Sequence, residues 1–489
     1  MGERPNILWY CTDHQRYDTV HALGNPHIRT PRLDRLAADG TAFTRAYAQS
    51  PVCTPSRASF LTGRYPAATQ VLRNGAAAFP AHEILVTRLL ADAGYDCGMA
   101  GKMHLARAQP IEARVDDGFS AYHWSHHPYP NLENHAYADW LRDEKGVDPH
   151  ELFAKTVNGY CGPGVPSDLH QTTWCSEMAI RFITQKRGGP WLFNINCFDP
   201  HPPFDPPPEY LERYDPTTLP RAHYRQSDAI RQQDFGSIQQ HSPEAGNPHG
   251  SGPGEPGVAW ERMTVQPPRD YDSRVLLAGY YGMIEHIDHQ FGRIVEVLRD
   301  TGQLDNTLIL FHSDHGDLMG DHGLMYLGCR FFEGLVRVPM IVSWPEGFGH
   351  GVISDALVEL VDIAPTLLDA AGVEASPRMQ GTSLAPLLRR DCDPGFHKPH
   401  VVCEFNDSLG TTPISSPSHG TMVCDGRYKS AVYHGTELGE IYDLQSDPHE
   451  FENLWDDPNC AGLKSDLLRR HLDAVAATHD AGISRQSAY

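Results

Sequence analysis

Asn6-Ile7-Leu8-Trp9-Tyr10-Cys11-Thr12-Asp13-His14 is the stretch on which the fold turns, an apolar, β-favouring run that ends on a carboxylate and an imidazole. A run without alternation suits a strand buried on both faces of a parallel sheet, and polar groups at the carboxyl end of such a strand lie where open α/β sheets collect their chemistry. Outward from it, Thr30-Pro31 supplies an N-cap and first-turn signal, Leu33, Leu36 and Ala37 the apolar stripe, and Gly40 the stop of a helix. The alternation continues with a helix near 83–93, strands near 97–100 and 191–197, a long helix near 274–299, strands at 307–312 and 338–343, and a helix near 357–371. This order predicts an α/β fold with a large, mainly parallel central sheet flanked by helices. Two stretches interrupt it: 123–164 is aromatic and His-rich without clear period, and 225–257 reads as a long loop rich in Gln, Ser, His, Pro and Gly. After Leu388 the texture shifts to short β-like runs at 401–405, 421–424 and 428–433 and an amphipathic helix near 463–476. The division expected is therefore a large domain over 1–389 and a smaller α+β domain over 390–489.

At 489 residues and 40% hydrophobic, the chain can bury more than one core of ordinary size. Its 62 acidic residues against 40 Lys plus Arg give a charge of -22, which argues against nucleic acid or an anionic membrane as partner while leaving room for a local cationic pocket. The apolar run 7–11 is too short for a secretion signal or a membrane span, so the expectation is a cytoplasmic protein. Eleven scattered cysteines without a CxxC pair indicate neither a disulfide framework nor a zinc ribbon.

Two constellations could carry chemistry. Asp13-His14 and Asp314-His315 each follow a predicted strand, and adjacent strand ends would bring two carboxylates and two imidazoles together, a plausible site for one divalent cation. From spacing alone each pair reads equally well as turn or capping residues. In Cys53-Thr54-Pro55-Ser56-Arg57, Pro55 marks a helix start, which sets Cys53 at the amino end where free N–H groups favour an anion, with Arg57 as a fixed cation. Taken singly, Cys53 reads better as a half-buried structural cysteine.

Cys53-x-Pro-Ser-Arg57 with Leu61-Thr62-Gly63 resembles the signature of the type I sulfatases, the formylglycine-dependent branch of the alkaline phosphatase superfamily. So, in order, do Gly101-Lys102-Met103-His104-Leu105, Phe198-Asp199-Pro200-His201-Pro202-Pro203-Phe204, Asp314-His315-Gly316-Asp317, Gly320-Asp321-His322-Gly323, Glu333-Gly334 with Arg337-Val338-Pro339, and Ile441-Tyr442-Asp443-Leu444 with Asp447-Pro448-His449-Glu450. The resemblance implies an alkaline-phosphatase-like sandwich and conversion of Cys53 to formylglycine by a formylglycine-generating enzyme. It implies a metal held by Asp13, His14, residue 53, Asp314 and His315, with Arg57, Lys102 and His104 around residue 53 and His201 facing the leaving oxygen of a small anionic ester. Two imidazole donors favour manganese over calcium as the ion. His123, Trp124, His126 and His127 are further candidates for substrate contact. A homo-oligomer is compatible with this reading.

The pattern departs from many members in having Asp-His for both pairs, which is nearer the phosphonate monoester hydrolase and choline-sulfatase-like branches. Leu327 stands where a leaving-group lysine is common, with Arg330 as a candidate substitute. The expectation is a metal-dependent sulfatase of a small organic sulfate monoester. The alternatives are a phosphonate monoester or phosphodiester hydrolase and a catalytically silent anion binder.

Overall fold

The computed structural model describes residues 4–156, 159–242, 244–251, 265–409, 417–480 and 482. Eight strands, β1 (Asn6–Thr12), β2 (Thr41–Tyr47), β3 (Asp96–Gly101), β4 (Ala121–Trp124), β5 (Trp191–Asn196), β6 (Thr307–Ser313), β7 (Arg337–Ser343) and β8 (Val352–Glu359), form one sheet in the order β4-β3-β5-β1-β6-β7-β2-β8. All neighbours are parallel except β7, which runs antiparallel to both β6 and β2. β1 lies at the centre, and every residue from Ile7 to Thr12 is buried, as the unalternating run requires.

Its two faces read as two apolar layers. Trp9 and Cys11 pack with Phe60, Leu90 and Leu367, whereas Leu8 and Tyr10 pack with Trp174, Ile287 and Phe291. The helices Cys53–Thr62, Val86–Asp92 and Ile363–Ala370 thus cover one face, and Gln171–Ile183 and Ser273–Asp300 the other. Register then fixes the chemistry: Cys11 is paired with Asn196 on β5 and Thr12 with Ser313 on β6, so three strand ends open onto one rim.

A second, antiparallel sheet is built from β9 (Val401–Asn406), β10 (His419–Cys424), β11 (Tyr428–Tyr433) and β12 (Gly439–Asp443), in the order β12-β11-β10-β9. It shares an apolar cluster with Tyr47 and Leu357 of the large sheet and with Val336 just before β7, and the helix Ala461–Ala477 lies against it.

Several expectations are corrected. The helix expected over 357–371 is strand β8 up to Glu359, a 3-10 turn at Leu360–Asp362 and α-helical from Ile363 to Ala370. A continuous apolar run does not distinguish a buried strand from a buried helix, and β2 recruits residues 352–359 as its outer partner. The stretch 123–164 contains the helices Ala136–Asp143 and Pro149–Ala154, the second capped by the Asp148 carboxylate, which accepts from the His150 and Glu151 amides. Part of the expected loop 225–257 is the helix Gln226–Asp234, while residues 243 and 252–257 lie outside the described residues. Thr30 does not cap its helix; Asp288 from the long helix does, accepting from the Arg32 and Leu33 amides.

Candidate active site

Cys53 is the first residue of its helix and is 2% exposed. Its Sγ lies 3.2 Å from His315 Nε2, 3.6 Å from Asp13 Oδ1 and 3.5 Å from Lys102 Nζ. The neighbouring Thr54 amide donates to Asn74 Oδ1 at 2.9 Å, which anchors the helix start. Asp13 and His14 come from the end of β1, Asp314 and His315 from the end of β6, and Lys102 from the end of β3. Gly101 must be glycine there: its φ is +109°, and a Cβ would stand 1.9 Å from the Asn196 carbonyl oxygen. That close approach lets the Lys102 amide donate to the same oxygen at 2.8 Å and aims the ammonium at Asp13 Oδ2.

Four groups, Asp13, His14, Cys53 and His315, place one ligand atom each within 4.8 Å of one another, all buried. The tautomers suit a cation. His14 Nδ1–H donates to Asp317 Oδ2 at 2.9 Å, and Nε2 of the same ring is buried without a hydrogen-bond partner among the described residues. His315 Nδ1–H donates to the Gly316 carbonyl at 2.8 Å, so its Nε2 lone pair also faces the cluster. Asp314 borders this set: its Oδ1 accepts from the His14 and His315 amides and lies 4.0 Å from His315 Nε2, and its Oδ2 accepts from Arg57 Nε at 2.9 Å. Buried imidazole nitrogens and a carboxylate converging on one point fit a divalent metal.

The electrostatics agree. Burial alone would raise Asp13, but Lys102 and then Arg57 outweigh it and hold the carboxyl well below the ordinary range. Burial and then Asp13 push the Cys53 thiol up. His14, His104 and His201 are each pushed down, by burial first and then by His315, Lys102 and His14 respectively, so all three are neutral imidazoles. Arg57 is fixed by the Lys102 carbonyl at 2.9 Å and Asn196 Oδ1 at 3.3 Å, and its Nη2 has no hydrogen-bond partner among the described residues and lies 3.6 Å from Asp13 Oδ2. His201 is half-buried, its ring 4.3 Å from His14 and from Phe198, with Nδ1–H donating to the Pro202 carbonyl at 2.7 Å. His104, at the left-handed φ of +56°, lies with its ring 4.4 Å from that of His126.

Other candidates fall elsewhere. Leu327 is buried in the apolar cluster beneath the small sheet. Arg330 is no substitute for the expected lysine: it pairs with Glu440 and Gln232 between the rings of Phe235 and Phe332. His123 is on β4 beside the Arg181 charge, and the Trp124 indole donates to Glu112. The His127 carbonyl accepts from His135 Nε2.

Sequence reasoning assigned no role to Asp317, Asn74, Asn196 or Glu112. Asn194 and Asn196 in an otherwise apolar strand were the readable signal for one of them, because a fully buried strand does not carry amides without partners for them. A second trio, His170, Asp199 and His286, also converges within 4.8 Å. There His170 Nδ1 accepts from the Thr172 amide, which commits the hydrogen to Nε2, 3.6 Å from Asp199 Oδ2, and makes this ring a helix cap rather than a metal ligand.

A family model described as Sulfatase matches residues 5–373, and one described as N-sulphoglucosamine sulphohydrolase, C-terminal, matches residues 320–477. An arylsulfatase of Clostridium perfringens is 28% identical over 476 residues, covering 92% of this chain and 90% of that protein. A choline-sulfatase of Rhizobium meliloti is 26% identical, with 93% and 83% covered. The solved structure of a phosphonate monoester hydrolase of Agrobacterium radiobacter is similar over 99% of this chain and 100% of that one, at 25% identity and a TM-score of 0.81.

Proposed function

Because this chain belongs to the sulfatase family, we propose that it hydrolyses a sulfate monoester of a small organic molecule with a divalent metal and a formylglycine derived from Cys53. The observation that carries the proposal is the position of Cys53 Sγ, at a helix amino end and within 3.6 Å of His315 Nε2, Asp13 Oδ1 and Lys102 Nζ. That sulfur stands in for the oxygens of a hydrated aldehyde. His14, His315, Asp13 and Asp314 would hold the metal, with residue 53 completing the set. Bound there, the metal and the hydrate would supply a charge clamp for the ester's head and a nucleophilic hydroxyl.

The chain's own groups do the rest. The Lys102 ammonium and Arg57 Nη2, which has no hydrogen-bond partner among the described residues, offer donors to an anionic head at a buried position, where such bonds gain most. His201, its Nδ1–H fixed on Pro202, directs Nε2 as the group that hands a proton to the departing oxygen, and the negative ester beside it favours the charged ring that burial opposes. His104 accepts a proton on the opposite side, next to Lys102.

Two imidazole donors make manganese, or another first-row ion, the preferred metal over calcium, which favours all-oxygen shells. Conversion of Cys53 requires a formylglycine-generating enzyme as a maturation partner. No described helix is long and apolar enough to cross a membrane, and the proposal places the enzyme in the cytoplasm, with a catalytic domain over 1–389 and a smaller one over 390–489.

The likeness to phosphonate monoester hydrolase favours one second reading, hydrolysis of phosphonate monoesters or phosphodiesters at the same centre. Kinetics of one purified sample on an aryl sulfate, a phenyl phosphonate and an aryl phosphodiester test both. The highest kcat/KM on the sulfate is expected, a higher value on either phosphorus ester replaces the main reading with the second, and inactivity on all three removes both.

A further inference from the structure

The loop after β3 turns back on itself at His104, whose φ of +56° lies in the left-handed region that a residue with a Cβ rarely adopts. Three successive amides around this turn point at one carboxylate. His104 N donates to Glu112 Oε2 at 2.9 Å, and Leu105 N and Ala106 N donate to Oε1 at 2.5 and 3.3 Å. The Trp124 indole N–H adds a fourth bond to Oε2 at 3.0 Å. Successive amides curling through a left-handed residue form a concavity that binds an anion, and here the chain fills it with its own side chain. Glu112 is 5% exposed and has no ion-pair partner among the described residues. Four donors alone compensate its burial, and burial still raises its carboxyl.

The His104 ring is held otherwise. Its Nδ1 is buried with no hydrogen-bond partner among the described residues, and the ring meets His126 edge to face at 4.4 Å, a contact that sets distance and little direction. What fixes the imidazole relative to Lys102 and Cys53 is therefore its backbone, and what fixes the backbone in an unfavourable conformation is the carboxylate.

We propose that Glu112 is a positioning residue for His104, an internal anion that holds the loop so that this imidazole faces residue 53. The inference rests on the role given to His104 under the proposed function. It extends that role to a residue outside the proposed catalytic set that joins two strand ends, since Glu112 ties the loop after β3 to Trp124 at the end of β4.

The test is Glu112→Gln, nearly isosteric, whose amide nitrogen confronts N–H donors that need an acceptor. In the metal-loaded, matured enzyme, kcat is expected to fall about tenfold to a hundredfold with KM within about twofold, the size of effect that a misplacement of about 1 Å produces. Hydrogen exchange of a peptide spanning residues 103–107 is expected to quicken, a readout independent of turnover. In the His104→Ala background, Glu112→Gln should cost nothing further. Trp124→Phe removes one donor and keeps the carboxylate, so it covers failure of the first variant to fold. A loss of about threefold to tenfold in kcat is expected of it, and unchanged kcat overturns the proposal. Unchanged kcat or unchanged exchange in Glu112→Gln, or a loss that adds to that of His104→Ala, also overturns it. Full activity of His104→Ala together with quickened exchange in Glu112→Gln would instead refute the role given to His104.

Discussion

Asp317→Asn tests the metal centre without touching a proposed ligand. Asp317 Oδ2 accepts from His14 Nδ1–H at 2.9 Å, and its Oδ1 accepts from the Met319 amide at 2.9 Å. Asparagine has one acceptor oxygen for these two donors. If that oxygen stays with Met319, the amide group facing His14 is a donor, and the ring is driven toward the tautomer with its hydrogen on Nε2, where the metal should bind. If the oxygen turns to His14, a charge-assisted bond of about 1.5–3 kcal/mol is replaced by a neutral one of about 1 kcal/mol. The difference, about 0.5–2 kcal/mol, corresponds to a loss of about 2.3-fold to thirtyfold in metal affinity, which overlaps the lower part of the range of about tenfold to a hundredfold that partners of metal-bound histidines command. Competition with a chelator of known affinity, on protein first stripped of metal, measures this directly. Affinity unchanged within about twofold would refute the claim that His14 is a ligand oriented by Asp317, and His14→Ala with unchanged affinity would do so from the other side.

Four further outcomes are expected. Mass spectrometry of the tryptic peptide 46–57 from active protein should show sulfur lost and oxygen gained at residue 53, and active protein carrying only intact cysteine would remove the formylglycine mechanism; Cys53→Ala should abolish turnover and leave thermal stability nearly unchanged. With Leu327 and Arg330 both committed to the apolar cluster under the small sheet, no cation from that segment assists the leaving group, so rates should fall steeply from activated aryl to alkyl esters, a flat dependence counting against this. After chelation, manganese should restore more activity than calcium; stoichiometric calcium in untreated, fully active protein would contradict the two-imidazole site. Asp288, whose carboxyl burial pushes up to about 7, binds its proton more tightly folded than unfolded, so its contribution to stability declines as pH rises from about 4 to about 7. Asp288→Asn should flatten that part of the stability curve in urea melts, and a parallel curve would show that Asp288 does not titrate there.

The legible part of this molecule was the part written in consecutive residues. β1 and β6 announced themselves because strands buried on both faces are mostly apolar and stop at polar pairs, and those stops are Asp13-His14 and Asp314-His315. Cys53 was placed at a helix start by Pro55 alone. What escaped was whatever depends on who lies across the gap. Residues 352–359 became a strand because β2 needed a neighbour, not because their own pattern asked for one. Arg330 follows Leu327 by three residues, yet its guanidinium turns into a box of aromatic rings and Glu440, a direction no spacing reveals. Glu112 meets the His104 turn only through folding of an irregular loop, where periodicity carries no information.

The burial of Cys53 has a consequence in time. A thiol 2% exposed, on a helix whose ten residues are all buried, is out of reach of any modifying protein once the sheet has closed over it. Closure waits for β6 and β7, some 250 to 290 residues further along the chain. Between the emergence of residue 53 and the arrival of those strands lies an interval in which the segment has no completed sheet to be buried against. Maturation and folding would then run as competing clocks started by the ribosome, and the share of competent enzyme in a preparation would record which of them was faster in its host.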